Sequence, residues 1–270
     1  MRRRLLPVLG LLVLIGLWWL ATIVFSIERF LVPSPADVVA SFLELPGYLL
    51  RQSLVTLVET VEGFALSIVV GVPLAMLIVR SPLLERMFYP ILLAVNAVPK
   101  IAIAPILVVW FGFGQGPKVV LVVLVCVFPV VISTASGMKS TPHELVELFR
   151  SWDASRRQEF FKLRFVHALP QIFVGLKVAI SLAVIGAVIA EFVGADAGLG
   201  FVIVQSGASA DTSLAFAAMT LLAIMSIALF YALAHLERKL LSWADVDRAD
   251  RRFRPASRGR GRDRPPGPGR

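Results

Sequence analysis

The chain has 270 residues, 57% of them hydrophobic and 17% charged, with a mean hydropathy of +0.81. Soluble domains hold about 45–50% apolar and about 25% charged residues, so an ordinary water-soluble globule is excluded and lipid is the expected solvent. The net charge is +9, and the lone cysteine, Cys126, rules out an intrachain disulfide and reads as a small core hydrophobe. His143, His167 and His235 lie too far apart in sequence for a metal-ligand pattern.

The first apolar run, Leu5 to about Ser26, follows Arg2, Arg3 and Arg4. A signal peptide starts the same way but has a shorter apolar region and a small-residue cleavage site. This run carries Trp18 and Trp19 and no such exit, so a retained spanning helix is expected. Segment 27–53 holds Leu31-Val-Pro-Ser34-Pro35-Ala-Asp37. Ser34 can cap a helix that has Pro35 at its first position and Asp37 near its positive end. Val38, Val39, Phe42 and Leu43 then share one face, the pattern of an amphipathic helix on the membrane surface.

Further apolar runs lie at about 54–79, 87–110, 118–138, 169–190 and 213–235, each able to cross a hydrocarbon core of about 30 Å. With the N-terminus inside, the cytoplasmic segments hold 22 Lys and Arg and the outer ones three, Arg29, Arg51 and Lys118. That bias places both termini in the cytoplasm and requires an even number of spans. The expected division is an N-terminal helix with its periplasmic amphipathic segment (1–53), a five-helix core with a cytoplasmic loop at 139–167 (54–240), and a basic tail (241–270). From Arg248 the tail is Arg-, Gly- and Pro-rich and too poor in apolar residues to fold. It reads as a solvated tail or as an attraction to anionic lipid, with no aromatic interleaving to support nucleic-acid binding.

The third run contains Asn96, Pro99, Lys100 and Pro105. Proline removes a backbone donor and kinks a helix, so this span is expected to be broken. A mid-membrane ammonium is costly and should face a watery cavity or a partner. Lys100 therefore either meets an anionic solute or pairs with Glu191 or Glu62. Glu191 ends the fifth run before a glycine-rich turn, Gly194 to Gly200, and reads as an outer-gate residue or an interfacial carboxylate. Asn96, Pro99, Lys100, Pro105 and Glu191 are the candidate pathway residues. Glu59 and Glu62, early in the second run, stay open between pathway and structural roles.

The inside loop from Lys139 to His167 is longer than a simple connection needs. Thr141-Pro142-His143-Glu144 has the form of a capping box with proline at the first helical position, so a helix is expected from Pro142 to about Arg150. Leu145, Leu148 and Phe149 should share its apolar face. A break at Ser151-Trp152-Asp153 leads to a second box, Ser155-x-x-Gln158, and a second short helix through Phe160, Phe161 and Phe165, with Pro170 opening the fifth span. The hairpin reads either as a knob for a partner's groove or as an amphipathic element resting on lipid.

Glu147-Leu-Phe-Arg150-Ser151-Trp-Asp153-Ala154-Ser155, with Leu169-Pro170 beyond it, resembles the "EAA" loop of ABC importer permeases. Leu31-Val-Pro-Ser-Pro35, Ala97-Val-Pro-Lys-Ile-Ala-Ile-Ala-Pro105, Trp110-Phe-Gly112, Glu191-Phe-Val-Gly194 and Gly198-Leu-Gly200 resemble the branch importing sulfonates, taurine, nitrate and thiamine precursors. The resemblance covers about residues 5–240. It implies an all-α membrane protein with six transmembrane helices, the type I ABC importer (MetI-like) permease fold, and a cytoplasmic coupling-helix loop. It further implies a homodimer in the bacterial inner membrane and a periplasmic solute-binding protein. A separate ATP-binding subunit would contact Glu144, Glu147, Leu148, Phe149, Arg150, Asp153, Ala154 and Ser155. The chain departs from the family pattern at Leu148 and Phe149, which replace two alanines, and at Asp153, which replaces a turn glycine. Val166 stands in place of a proline, and Glu59 in place of a basic residue.

No Gly-x-x-x-x-Gly-Lys-Ser/Thr loop, Gly-x-Ser-x-Gly elbow or His-Glu-x-x-His helix occurs in the chain, and the glycines of Gly112–Lys118 lack phosphate-loop spacing. No catalysis and no cofactor are expected here; ATP and magnesium would belong to the partner subunit. The rival reading, a transporter or channel driven by an ion gradient, would predict paired broken helices in two repeats, and only one strongly broken span is visible.

Overall fold

The computed structural model describes residues 2–241 and Trp243, all helical or turn, with no strand among them. The basic tail from Arg248 lies outside the described residues. Helix α1 spans Arg2–Val24, and α2 spans Pro35–Glu44. The Ser34 cap forms as expected: its hydroxyl accepts from Asp37 N–H while Asp37 Oδ2 accepts from Ser34 N–H at 2.9 Å. Of the four apolar residues of α2, Val38 and Phe42 turn inward onto Leu49, Ala217 and Trp18, whereas Val39 and Leu43 are exposed.

Helix α3 is Pro46–Arg80, α4 is Pro82–Ala97, α5 is Lys100–Phe111 and α6 is Gln115–Lys139. Helix α7 is His143–Ser151 and α8 is the single turn Arg156–Gln158. A π-helical turn, Glu159–Arg164, follows and leads into α9, Phe165–Gly194. Helices α10 and α11 are Leu199–Ala208 and Thr212–Leu240. Among the described residues, four helices are long and apolar enough to cross a membrane: α3, α6, the continuous Arg156–Gly194 and α11. The α4–α5 pair is a fifth when its two halves, bent by 91°, count as one span. Within α1 the apolar stretch Leu12–Val24 is shorter.

The second limb of the 139–167 hairpin is therefore not a separate short helix. It runs without interruption into α9, and Pro170 lies inside that helix rather than at its start. A proline's missing N–H is tolerated where its helix is packed against neighbours.

Helices α3, α6 and α9 form the centre, with α6 between the other two. Gly63, Ser67, Gly71 and Ala75 are buried at four-residue spacing on α3, and Gly175, Ala179, Ala183 and Ala187 repeat the pattern on α9. A β-carbon at Gly63 would strike Val122, and one at Gly175 would strike Ser133. Lipid tails are as apolar as leucine, so helices associate in a membrane through close backbone approach rather than hydrophobic force; these small-residue stripes supply it. Val69, Val178, Ile185 and Ile227 face outward and are exposed, as lipid-contacting side chains are.

Candidate functional site

The 139–167 hairpin is built on two local devices. At Asp153 the chain adopts φ +53°, the left-handed conformation that the expected turn glycine would take. Asp153 N–H donates to Arg150 O at 3.0 Å and Ala154 N–H to Phe149 O at 3.1 Å, closing the end of α7. Ser155 then caps α8: its N–H donates to Gln158 Oε1 at 2.8 Å and its hydroxyl accepts from Gln158 N–H at 3.3 Å. The second capping box is thus real. The first is not, because Thr141 Oγ1 turns back to Met138 O at 3.1 Å and Pro142 itself sits at the N-cap.

The apolar face of α7 also differs from expectation. Val146 is buried and Phe149 half-buried against the protein, while Leu145, Leu148 and Trp152 point outward. Two apolar stripes exist, and only packing tells which one faces in. Glu144, Glu147 and Arg150 are exposed, with Glu147 Oε1 at 3.2 Å from His143 Nδ1.

Below the hairpin, Arg164 holds buried Glu159 through two donors, Nε at 2.9 Å and Nη2 at 2.7 Å, and Arg150 Nε approaches it at 3.6 Å. The pair is five residues apart, the same spacing as the backbone hydrogen bonds of the π-helical turn that carries it. Burial by itself would raise the Glu159 pKa, but the Arg164 and Arg150 guanidinium groups outweigh it and hold the carboxyl below its ordinary value.

The candidate pathway residues fall into two groups. Asn96, Pro99 and Lys100 meet at the α4–α5 bend: Pro99 is the N-cap of α5, and Pro105 lies within it. Lys100 Nζ turns back to the end of α4, donating to the Asn96 carbonyl and, at 2.9 Å, to Asn96 Oδ1. A cation there complements the negative end of α4. Lys100 has neither Glu191 nor Glu62 as partner; Glu62 instead accepts from Gln115 Nε2.

Glu191 belongs to a separate buried network. Its Oε1 accepts from Thr56 Oγ1 at 2.7 Å and its Oε2 from Gly200 N–H at 2.5 Å. Leu199 N–H donates to Thr56 Oγ1 at 2.8 Å, and Gly198 N–H to Gln52 Oε1 at 2.7 Å. Gly198 has φ +113° with the Glu191 carboxylate directly against it, leaving no room for a side chain. Glu191 is thus no interfacial carboxylate; it fastens the turn before α10 to α3.

Next to this network Lys118 Nζ pairs with Glu59 Oε1 at 2.7 Å, both side chains buried. Lys118 is no free outer-loop cation. Gln52, Thr56, Glu59 and Lys118 went unrecognised as a unit from sequence. Their signal was Gln52, Thr56 and Glu59 at i, i+4, i+7 on one stripe of α3.

The family described as "Binding-protein-dependent transport system inner membrane component" matches residues 67–242. The formylaminopyrimidine transport permease protein ThiX of Halalkalibacterium halodurans is 37% identical over 238 residues, 88% of this chain and 95% of that protein. The taurine transport system permease protein TauC of Escherichia coli is 28% identical over 240 residues, 86% of this chain and 87% of that one. Among solved structures, the inward-facing MetNI methionine ABC transporter superposes with a TM-score of 0.65 at 20% identity, over 73% of this chain and 97% of that one. With its helical fold and its buried small-residue stripes, this chain belongs to the binding-protein-dependent transport inner-membrane components, the permeases of ABC importers.

Proposed function

We propose that the chain forms the translocation pathway of an ATP-driven importer as one half of a homodimer in the bacterial inner membrane. Helix α1 supplies a sixth span, and both termini lie in the cytoplasm. The 139–167 loop docks in an ATP-binding subunit that brings ATP and magnesium. A periplasmic binding protein delivers the solute on the opposite face. Closure of the ATPase pair draws the two loops together and turns the cavity outward; hydrolysis resets it.

The observation that carries this reading is the exposed apolar stripe Leu145–Leu148–Trp152 on a hairpin whose turn and base are held by Asp153, Ser155 and Glu159. A short helix with an unpartnered apolar face, on a rigid base, suits insertion into a partner's groove. Glu144, Glu147, Arg150 and Ala154 form the rim of that contact, and Phe149 anchors it from behind. Asn96, Pro99, Lys100 and Pro105 shape the pathway at the α4–α5 bend, and Glu191 sets the outer gate. Greater identity to the formylaminopyrimidine permease than to the taurine permease supports a solute of the thiamine-precursor kind. The engagement of Lys100 with Asn96 weighs in the same direction, against a sulfonate or nitrate anion at that ammonium.

The test is gentle extraction of the tagged chain from native membranes. An ATP-binding subunit is expected at about one-to-one ratio with the chain, as a symmetric assembly requires. Glu147→Lys and Leu148→Pro should insert normally and lose coupled uptake. Full uptake in both variants, or gradient-driven flux by the chain alone, would overturn the proposal.

A further inference from the structure

A cavity of about 1190 Å³ opens between the cytoplasmic end of α3 and the second limb of the hairpin. Five arginines line it, Arg80, Arg150, Arg156, Arg157 and Arg164, against a single acid, Glu159. Glu159 is already engaged by Arg164 and approached by Arg150. Among the described residues no carboxylate lies within ion-pair distance of Arg80, Arg156 or Arg157, and all three are exposed. Cations gathered around one cleft create a positive potential that concentrates counter-ions. The planar guanidinium fork matches the oxygens of phosphate.

The rest of the lining is of another kind. Pro73, Met76 and Leu77 come from the last turns of a spanning helix, and Phe160 and Phe161 from the π-helical turn. Leu77 is 46% exposed and Phe161 49%, so this apolar wall is open rather than packed. Charge and apolar surface are thus adjacent at the end of a helix long and apolar enough to span a membrane.

We propose that this cavity binds a phosphate-bearing anion through Arg80, Arg156 and Arg157, the apolar wall accommodating the hydrocarbon part when the source is an anionic phospholipid. The bound group would bridge α3 to the base of the hairpin and stiffen the loop. This goes beyond the transport reading and is independent of the solute carried.

The test is native mass spectrometry on the purified full-length chain, stripped of lipid in detergent and titrated with dioleoylphosphatidylglycerol or dioleoylphosphatidylcholine. The unmodified chain should retain the anionic lipid preferentially. Each interfacial arginine contributes on the order of a fivefold gain for anionic lipid, so Arg156→Gln/Arg157→Gln should bind it about thirty-fold more weakly and Arg80→Gln about fivefold. Arg238→Gln/Lys239→Gln removes two exposed cytoplasmic cations outside the cavity and should change nothing. Displacement by millimolar inorganic phosphate would assign the site to a soluble phosphate, and resistance to it would assign lipid. Undiminished binding in both arginine variants, or an equal loss in the Arg238/Lys239 control, would overturn the proposal. Thermal unfolding of each variant separates lost binding from lost fold, and Arg80→Gln decides if the double variant does not fold. The readout is binding rather than uptake, so its failure is distinct from failure of the importer reading.

Discussion

Thr56 on α3 donates a 2.7 Å hydrogen bond to the Glu191 carboxylate on α9, joining positions 135 residues apart. The same hydroxyl accepts from Leu199 N–H, and the second Glu191 oxygen accepts from Gly200 N–H. One carboxylate and one hydroxyl thereby fix the start of α10 to two spanning helices. Charge-assisted bonds in a dry site are stronger than neutral ones in water, and leaving their donors unpaired is costly.

Glu191→Ala should release α10 without dissolving the α3–α6–α9 core. Each stranded buried donor costs about 1–3 kcal/mol. Hydrogen exchange at Leu199–Ala208 should accelerate strongly, while the centre of α6 stays protected. Glu191→Gln, which keeps the shape and the acceptor, should fall between. Unchanged exchange at α10 in the alanine variant would show that the network is not what holds it.

Lys118→Met should destabilise far more than the double change Glu59→Gln/Lys118→Met. Removing one member of a buried ion pair leaves an uncompensated charge, at a cost of about 3–5 kcal/mol, whereas neutralising both is often nearly neutral. Glu59 Oε2 already lacks a hydrogen-bond partner, so the carboxylate has no second group to fall back on. A double-mutant cycle on detergent-solubilised protein measures the difference, and additive effects would contradict the pairing.

Asp153→Gly should be neutral or slightly stabilising, because glycine reaches φ +53° without penalty. Asp153→Val should cost about 1–2 kcal/mol locally, as a β-branched residue resists the left-handed region. The expected readout is normal membrane insertion with reduced ATP-coupled uptake for the valine variant alone. Equal uptake in both variants would mean that the turn geometry is not needed for coupling.

Acid should loosen the base of the hairpin. Arg164 and Arg150 hold the folded-state pKa of Glu159 below the ordinary 4.5, burial notwithstanding. The unfolded loop therefore binds the proton first, and the ion pair contributes fully above the ordinary glutamate value. That contribution fades as pH falls through the folded-state pKa. Limited proteolysis of the 139–167 loop should accelerate with acidification, and Glu159→Gln should abolish that pH dependence while raising cleavage at neutral pH. A pH profile unaltered in Glu159→Gln would assign the acid sensitivity elsewhere.

Local chemistry was legible in the sequence at several places where a residue and its partner lie within one helical turn, though not at Thr141, which turns back to Met138 O instead of capping α7. Ser34 with Asp37, Ser155 with Gln158, the break at Ser151–Asp153 and the break at Pro99 depend on backbone geometry and short side chains, and each forms where the residues dictate; the left-handed conformation of Asp153 was seen only in the structure. The apolar runs likewise determined a helical membrane protein, since only backbone bonds closed within a helix or a barrel survive in lipid.

What tertiary structure decided is which side of each helix faces in. On α7 both Val146–Phe149 and Leu145–Leu148–Trp152 are apolar stripes, and only the neighbouring helices bury the first and leave the second exposed. Lys118 looks like an outer-loop cation until α6 packs on α3 and carries it to Glu59. Lys100 reads as meeting an anionic solute or pairing with Glu191 or Glu62, and the bend turns it to Asn96 instead of either glutamate. Glu191 reads as an outer-gate residue or an interfacial carboxylate, and packing buries it between Thr56 and Gly200. A hydropathy pattern records how much of a helix is apolar; the long-range partners of its few polar atoms follow from packing against chain more than a hundred residues away, as with Thr56 and Glu191.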